Sequence, residues 1–212
     1  MTKPLIQIGL TGSIGMGKSA TLALFAEMGA AIYDADATVH KLYAKGGEAV
    51  PLIEAAFSGV VKDGAVDRQE LSKHVVGKPD AMQRLESIVH PLTFQHRESF
   101  LKNAAATIDI AVLDIPLLYE GGVEKLFDAV VVCSAPVKMQ IARALQRPTL
   151  DYPKLHAIIS KQVPDWKKRM LADYVVDTSR GEEDARAQVA AILKEVRSPE
   201  WRPPAKQAKV GG

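Results

Sequence analysis

Near its N-terminus the chain reads Gly12-Ser13-Ile14-Gly15-Met16-Gly17-Lys18-Ser19, a stretch that matches the pattern G-x-x-x-x-G-K-[ST]. Glycines in this pattern let the backbone wrap around a chain of phosphates, so that amide hydrogens face the phosphate oxygens. The apolar run 5–10 before it is predicted to be a buried strand, and residues 19–28 after it a helix. A phosphate-binding loop needs a strand before it and a helix after it, whereas a chance glycine-rich turn needs neither. The stretch therefore predicts a nucleotide site at a strand-to-helix turn.

The side chains of this loop predict how a nucleoside triphosphate is held. Lys18 is expected to reach the β- and γ-phosphates, and the Ser19 hydroxyl is expected to bind Mg²⁺. The positions assigned to nucleotide binding are Gly12, Ser13, Ile14, Gly15, Met16, Gly17, Lys18, Ser19 and Ala20. The loop alone predicts nucleotide binding and leaves the reaction open.

Beyond the loop, short apolar segments alternate with helical patterns. The further predicted strands are 30–33, 108–115, 128–134 and 174–177, and the further predicted helices outside 37–106 are 137–146 and 182–196. Near-continuous Val, Ile, Leu and Ala in the strands favours a parallel sheet that is covered on both faces. The alternation is typical of the α/β class, and we interpret 1–197 as a single domain of that class.

Residues 37–106 show no convincing strand and are interpreted as a helical insertion. Asp67 and Glu70 have the spacing of a helix N-cap and its third helical residue, a capping-box variant. The longer helical candidates are 79–89 and 92–105, separated by His90-Pro91. The tail 198–212, with three prolines and a terminal Gly-Gly, is predicted to be flexible.

Composition narrows the class of protein. A formal net charge of +2 is too small to argue for nucleic acid or membrane as the main partner. No apolar run approaches the ~20 residues of a membrane helix, and no signal-peptide pattern is present at the N-terminus. The one cysteine, Cys133, lies in an apolar run, where a buried structural thiol is expected. A single cysteine suits a reducing compartment, so we expect a cytoplasmic protein.

Three features beyond the loop indicate phosphoryl transfer, each with a plainer alternative. Asp34 and Asp36 close the second strand, where a carboxylate could accept a proton or help hold Mg²⁺, or could simply cap a helix. Arg143 and Arg147 lie four apart on a predicted helix, and both are expected to be exposed on a mobile lid or on a solvated basic face. Asp114 ends a buried strand where a magnesium-binding acid or a mere strand cap would fall.

The motifs in this order resemble the dephospho-coenzyme A kinase family. The segments that carry the resemblance are 9–19, Tyr33-Asp34-Ala35-Asp36, His90-Pro91-Leu92, Asp114-Ile115-Pro116-Leu117-Leu118-Tyr119-Glu120, Gln140 through Arg143 to Arg147, and Ala172-Asp173-Tyr174-Val175-Val176-Asp177. The resemblance implies a P-loop kinase fold with a five-stranded parallel sheet flanked by helices. It also implies a helical substrate region at about 37–106 and a lid at about 146–170.

The resemblance further implies ATP as phosphoryl donor and dephospho-coenzyme A as acceptor. Asp36 would be the base at the ribose 3′-hydroxyl, and Lys18, Arg143 and Arg147 would complete the catalytic set. The residues that would line the acceptor side are Thr11, Asp36, His90, Leu117 and Glu120. From its own position before Pro91, His90 is interpreted as a helix-boundary residue more readily than as a substrate ligand.

A few positions depart from the family pattern. His40 stands where an arginine is usual, which puts a phosphate contact in question. Pro148 and Thr178 stand where an acid and an asparagine are common, so contacts of the lid and of the adenine ring are in question. Ala20 replaces a usual threonine and is expected to matter little to the metal.

Two alternatives remain at this point. One is another P-loop kinase of small molecules or nucleoside monophosphates. The other is a nucleotide-dependent switch protein, although no [NT]-K-x-D motif for guanine is evident. The sequence predicts no oligomeric state.

Overall fold

The computed structural model of the protein describes residues 5–204. The described chain forms two compact units. The first contains residues 5–33 and 104–204, and the second contains Asp34–Asn103. The second unit coincides closely with the helical insertion that the sequence predicts.

The elements follow in chain order. The strands are β1 (Ile6–Thr11), β2 (Ala31–Asp34), β3 (Val61–Lys62), β4 (Ala65–Val66), β5 (Ile110–Asp114), β6 (Ala129–Ser134) and β7 (Tyr174–Asp177). The helices are α1 (Lys18–Glu27), α2 (Ala35–Tyr43), α3 (Ala49–Ala56), α4 (Arg68–Val75), α5 (Pro79–Ala104), α6 (Val137–Leu145), α7 (Tyr152–Ile159), α8 (Asp165–Leu171) and α9 (Glu182–Arg197). A short 3₁₀ turn lies at Glu124–Leu126.

The large sheet has five strands in the order β2-β5-β1-β6-β7. Strand β1 is central and pairs in parallel with β5 and with β6, while β6 pairs in parallel with β7. Ile8, Val112 and Val131 are fully buried in the three middle strands. Phe25 of α1 and Val189 of α9 belong to the same apolar cluster as these residues. The five-stranded parallel sheet flanked by helices is thus confirmed, and its middle strands are mostly apolar because helices cover them.

The second unit has a core of its own. Leu42, Val50, Ile53 and Leu71 are buried there, together with Val89 of the long helix α5. The prediction of no strand between 37 and 106 is wrong, because β3 and β4 pair as a small antiparallel hairpin. Its turn is formed by Asp63 and Gly64, both with positive φ (52° and 80°), as two-residue hairpin turns require. The two strands are too short to show an alternating pattern in the sequence.

Helix α4 begins as the sequence predicts, at the N-cap residue Asp67. Its carboxylate accepts hydrogen bonds from the backbone N–H groups of Gln69 (2.9 Å) and Glu70 (3.1 Å). The reciprocal half of a capping box does not form, because the Asp67 N–H donates to the Val60 carbonyl. The Glu70 carboxylate pairs instead with lysines at positions 62 and 73.

The predicted break at His90-Pro91 is wrong, because α5 continues through Pro91 as one helix of 26 residues. An interior proline removes a helical hydrogen bond and costs about 3 kcal/mol. On either side of Pro91, Val89 is buried and Leu92 packs against the second core. We attribute the continuous helix to this packing, which holds both flanks on one helical face.

The end of the described chain packs on the core of the first unit, to which it belongs. Trp201, which the sequence assigns to the flexible tail, is half-buried, and its Nε1 donates to the Tyr174 hydroxyl (3.0 Å). The rest of the predicted tail, 205–212, lies outside the described residues. Within 5–204, none of the helices combines the length and the apolar character that crossing a bilayer requires.

Candidate active site

The glycine-rich loop lies between β1 and α1, as the sequence predicts. Gly15 and Gly17 have φ values of 79° and 82°, in the left-handed region that side chains other than glycine rarely adopt. A Cβ atom on Gly17 would also lie 2.9 Å from the Thr178 hydroxyl oxygen. The loop therefore needs glycine both for its backbone conformation and for its packing.

The Lys18 ammonium forms an ion pair with Asp114 Oδ1. Asp114 ends β5 and lies opposite Leu10 of β1, so the acid and the loop share the carboxyl edge of the sheet. This edge is where open α/β sheets bind ligands. Both side chains are mostly buried, with 16% and 10% of their surfaces exposed. A phosphate that arrives at Lys18 would compete with the carboxylate of Asp114 for the ammonium.

Two glutamines hold the peptide groups of Ile14 in the middle of the loop. The Gln140 side chain in α6 donates to the Ile14 carbonyl (3.0 Å), and the Ile14 N–H donates to Gln162 Oε1 (3.4 Å). On the far side of the loop, the Thr178 hydroxyl donates to the Met16 carbonyl (3.0 Å). The loop is therefore shaped by contacts within the protein. Sequence reasoning assigned no role to Gln162, because its partner lies 148 positions earlier in the chain.

The two arginines of the predicted lid differ. Arg143 is half-buried in α6 and donates to Thr178 twice, from Nη1 to the hydroxyl (2.9 Å) and from Nη2 to the carbonyl (2.7 Å). Arg147 is exposed and follows the end of α6 at Leu145. The residue before a proline disfavours helical geometry, and Pro148 follows Arg147. The expected exposure is therefore wrong for Arg143, and the expected shared helical face is wrong because Arg147 lies beyond the end of α6.

Ser19 and Ala20 are exposed in the first turn of α1. The Ser19 hydroxyl and the Asp114 carboxylate are oxygen donors, the ligand type that Mg²⁺ prefers. In kinases this ion takes only one or two protein ligands and completes its shell with phosphates and water. The residues present therefore fit Mg²⁺, although the described residues hold no cluster of three His, Cys, Asp or Glu for a metal.

The three residues of the first unit that are expected to line the acceptor side differ in their contacts and in their exposure. The buried Thr11 hydroxyl donates to the Pro116 carbonyl (3.2 Å), which ties the segment after β5 to β1. Leu117 in that segment is 52% exposed. Glu120 accepts a hydrogen bond from the Val163 N–H (2.7 Å) and lies 2.9 Å from the Lys168 ammonium. Of these three side chains, Leu117 is the one most open to a ligand.

In the second unit, a cleft of about 450 Å³ lies among α2, α4 and α5. The lining residues are Asp36, Val39, His40, Tyr43, Arg68, Leu71, Ser72, Val75 and Leu85. Asp34 accepts a hydrogen bond from the Ala37 N–H (2.8 Å) and caps α2. The capping alternative thus applies to Asp34, while Asp36, exposed in the first turn of α2, borders the cleft. His90 is exposed on α5 and is not among the lining residues.

Arg68 is the residue of this cleft that sequence reasoning missed. Its guanidinium carbon lies 5.3 Å from the centre of the Tyr43 ring, within cation–π range. Burial raises the pKa of Tyr43, so this hydroxyl stays protonated at neutral pH. With His40 on the same cleft, Arg68 makes the opening suitable for an anionic ligand that also carries apolar parts.

The single cysteine in the sequence has no part in this chemistry. Cys133 is fully buried in β6, and burial raises the pKa of its thiol to about 12. The thiolate needed for reactivity is therefore absent at neutral pH, which confirms the expectation of a buried structural thiol.

Comparison with known proteins places these features in a family context. The family model for dephospho-CoA kinase matches residues 6–184. A dephospho-CoA kinase from Bradyrhizobium diazoefficiens is 57% identical over 190 residues, which cover 89% of this chain and 94% of that protein. A dephospho-CoA kinase from Rhodopseudomonas palustris strain HaA2 is 52% identical over 201 residues, covering 94% of this chain and 100% of the relative.

Solved structures show the same fold. A protein from Thermus thermophilus superposes with a TM-score of 0.81 at 28% identity, covering 92% of this chain and 100% of the other. The dephospho-CoA kinase from Campylobacter jejuni gives a TM-score of 0.62 at 22% identity over 92% and 98% of the two chains. Shikimate kinase from Acinetobacter baumannii gives 0.51 at 19% identity over 94% and 97%, and shares the fold alone.

Proposed function

Because this chain belongs to the dephospho-CoA kinase family, we propose that it transfers the γ-phosphoryl group of ATP to the ribose 3′-hydroxyl of dephospho-CoA with the help of Mg²⁺. Members of this family are transferases that catalyse the last step of coenzyme A biosynthesis. The products are coenzyme A and ADP. A single cysteine, buried at position 133, supports the further proposal that the reaction takes place in the reducing cytoplasm.

The observation that carries the assignment of the base is that the two acids at the junction of β2 and α2 differ in their contacts. Asp34 is occupied as the cap of α2, whereas Asp36 is exposed and borders the 450 Å³ cleft. A carboxylate within hydrogen-bond reach can orient an alcohol and accept its proton. We therefore assign the role of general base to Asp36.

The transfer itself depends mainly on position and charge. The 3′-oxygen bonds to the γ-phosphorus while the bond from that phosphorus to the β,γ-bridging oxygen breaks, and ADP leaves with the electron pair. The hydroxyl proton passes to Asp36. Lys18 and the loop amides meet charge that grows on the phosphates, and Arg143 and Arg147 would neutralise it further. Ser19 and Asp114 would hold Mg²⁺, which when bound would offset negative charge on the phosphates.

The cleft of the second unit offers the chemistry that dephospho-CoA needs. This acceptor carries a diphosphate, an adenosine and a long amide chain, so it combines negative charge with apolar surface. Arg68 and His40 offer positive or hydrogen-bonding groups, and Leu71 and Val75 offer apolar walls. An arginine is usual in the family at the position of His40, and Arg68 would supply the missing guanidinium. Arginine can bind phosphate through two parallel hydrogen bonds. The exposed side chains of Leu117 and His90 remain proposed acceptor contacts.

An acceptor panel tests this proposal against its rivals. The purified protein is incubated with ATP, Mg²⁺ and one acceptor at a time: dephospho-CoA, adenosine, a nucleoside monophosphate or shikimate. Release of ADP and the mass of the product are measured. We expect ADP and coenzyme A in equal amounts, and turnover at least tenfold slower with the other acceptors. ADP release that ignores every acceptor would indicate a switch protein, and a preference for a different acceptor would indicate another kinase.

A further inference from the structure

A buried ion pair joins the segment after β5 to helix α8 in the first unit. The Lys168 ammonium is fully buried and lies 2.9 Å from Glu120 Oε1, whose side chain is 15% exposed. The Lys168 ammonium has no hydrogen-bond partner among the described residues, so its contact with Glu120 is an ion pair without a well-oriented hydrogen bond. Burying two charges is costly, and such a pair is weak evidence for stability. The position of the ion pair in the fold therefore suggests a role other than stabilising the protein.

The same glutamate holds the end of the predicted lid. Glu120 Oε1 accepts the N–H of Val163 (2.7 Å), in the linker between α7 and α8. The start of α8 is fixed a second time, because the Ser134 hydroxyl at the end of β6 donates to Asp165 Oδ2 (2.7 Å). The chain at 163–168 is thus fastened both to β6 and to the segment after β5.

The residue next to Val163 contacts the phosphate loop. Gln162 Oε1 accepts the Ile14 N–H (3.4 Å), while Gln140 binds the carbonyl of Ile14. Where the Gln162 amide lies depends on where the backbone at Val163 is held. A continuous series of contacts therefore runs from Lys168 through Glu120 and Gln162 to the loop that would bind ATP.

We propose that Glu120 and Lys168 are a positioning pair that fixes the C-terminal end of the lid and sets Gln162 against the phosphate loop. Lys168 balances the charge of the Glu120 carboxylate, Glu120 holds the Val163 N–H, and Gln162 keeps the loop in the shape that receives phosphates. Glu120 thus acts on the nucleotide through the backbone and does not bind the acceptor. The acceptor-side role that the family resemblance suggests for Glu120 is replaced by this one.

Matched double variants separate the roles of the charge and of the hydrogen bond. E120Q/K168M removes both charges, which for a buried pair is often neutral for stability, and the Gln carbonyl still accepts the Val163 N–H. E120A/K168M lacks that acceptor together with the side chain that carries it. Q162A removes the last contact of the series and leaves the buried pair intact. Neither double variant leaves an unpaired buried charge.

Three measurements are made on the full chain: the Kd for ATP by equilibrium titration, the KM for dephospho-CoA and the melting temperature. We expect E120Q/K168M to bind ATP within twofold of the wild type. E120A/K168M and Q162A should each bind ATP about three- to tenfold more weakly, the effect of losing one hydrogen bond. The KM for dephospho-CoA should stay within twofold in all three variants.

Two results would overturn the proposal. A raised acceptor KM in E120Q/K168M would show that Glu120 binds the acceptor. Wild-type affinity for ATP in Q162A, or in E120A/K168M despite a lowered melting temperature, would show that the pair is only structural. If E120A/K168M does not fold, Q162A decides. The KM measurement with dephospho-CoA rests on the proposed function. The ATP titration does not, so the titration tests the pair even if dephospho-CoA is not the acceptor.

Discussion

The two units of the molecule present their functional groups in different ways. In the first unit, Lys18 is paired with Asp114, and Arg143 donates twice to Thr178. In the second unit, Asp36 and Arg68 are exposed beside an open cleft. Lys18 and Arg143, which are expected to meet ATP, are thus held by the protein itself, whereas Asp36 and Arg68, which are expected to meet the acceptor, are exposed to solvent.

This difference has a physical consequence. Charged groups that are already oriented stabilise a transition state without reorganising during the reaction, but their removal also disturbs the fold that holds them. Exposed groups can be replaced with little effect on stability. Variants of Lys18 and Arg143 should therefore change both activity and stability, and variants at the cleft should change activity alone.

Lys18→Ala should give the largest effect in the first unit, a loss in kcat of about 10²-fold or more. The lysine would meet charge that moves toward the leaving β-phosphate, so kcat should fall more than ATP affinity does. The melting temperature should also fall, because the variant removes the partner of the mostly buried Asp114 carboxylate. Lys194→Ala, an exposed lysine on α9, is the matched control. Turnover of Lys18→Ala within a few-fold of the wild type would refute the role of the loop.

Arg68→Ala should raise the KM for dephospho-CoA by about tenfold, because it removes charge-assisted hydrogen bonds to the diphosphate. The Kd for ATP and the melting temperature should not change, since Arg68 is exposed. Arg84 lies in the same unit, with its guanidinium carbon 5.7 Å from the Phe57 ring centre, but does not line the cleft. Steady-state kinetics of Arg68→Ala and Arg84→Ala should therefore differ. Equal KM values for the two variants would remove Arg68 from the acceptor site.

Arg143→Ala and Arg147→Ala should both slow the transfer but should differ in stability. Arg143 loses two hydrogen bonds from a charged group, which we expect to lower the free energy of unfolding by about 1.5–3 kcal/mol. The exposed Arg147 should change it by less than about 0.5 kcal/mol. Urea unfolding of the two variants measures this difference. Equal stabilities would mean that the contacts of Arg143 with Thr178 contribute nothing to the fold.

The sequence predicts well what is encoded locally. The loop at 12–19 and the strands β1, β5, β6 and β7 were located within one or two residues, because buried parallel strands are continuous apolar runs. The N-cap at Asp67 followed from its spacing alone. The continuation of α5 through Pro91 could not be predicted from the local sequence, because packing on both sides of Pro91 outweighs the cost of a proline inside a helix.

Site residues divide in the same way. Lys18 and Ser19 belong to a short motif, so they could be found without a fold, and Asp36 was found beside a strand end. Arg68 and Gln162 could not be found, because they acquire a role only through neighbours distant in the chain. The engagement of Glu120 with Lys168 was equally hidden, since a glutamate after a strand gives no sign that it faces a buried ammonium.

The most direct test of the account compares Asp36→Asn with Asp34→Asn at saturating ATP and dephospho-CoA. Asn keeps the size of the side chain but removes the charge that orients the hydroxyl and accepts its proton. We expect Asp36→Asn to lose roughly 10²–10⁴-fold in kcat, with the Kd for ATP and the melting temperature unchanged. Asp34→Asn should stay close to the wild type, since asparagine also caps helices well. Normal turnover of Asp36→Asn, with or without an inactive Asp34→Asn, would contradict the assignment of Asp36 as the base.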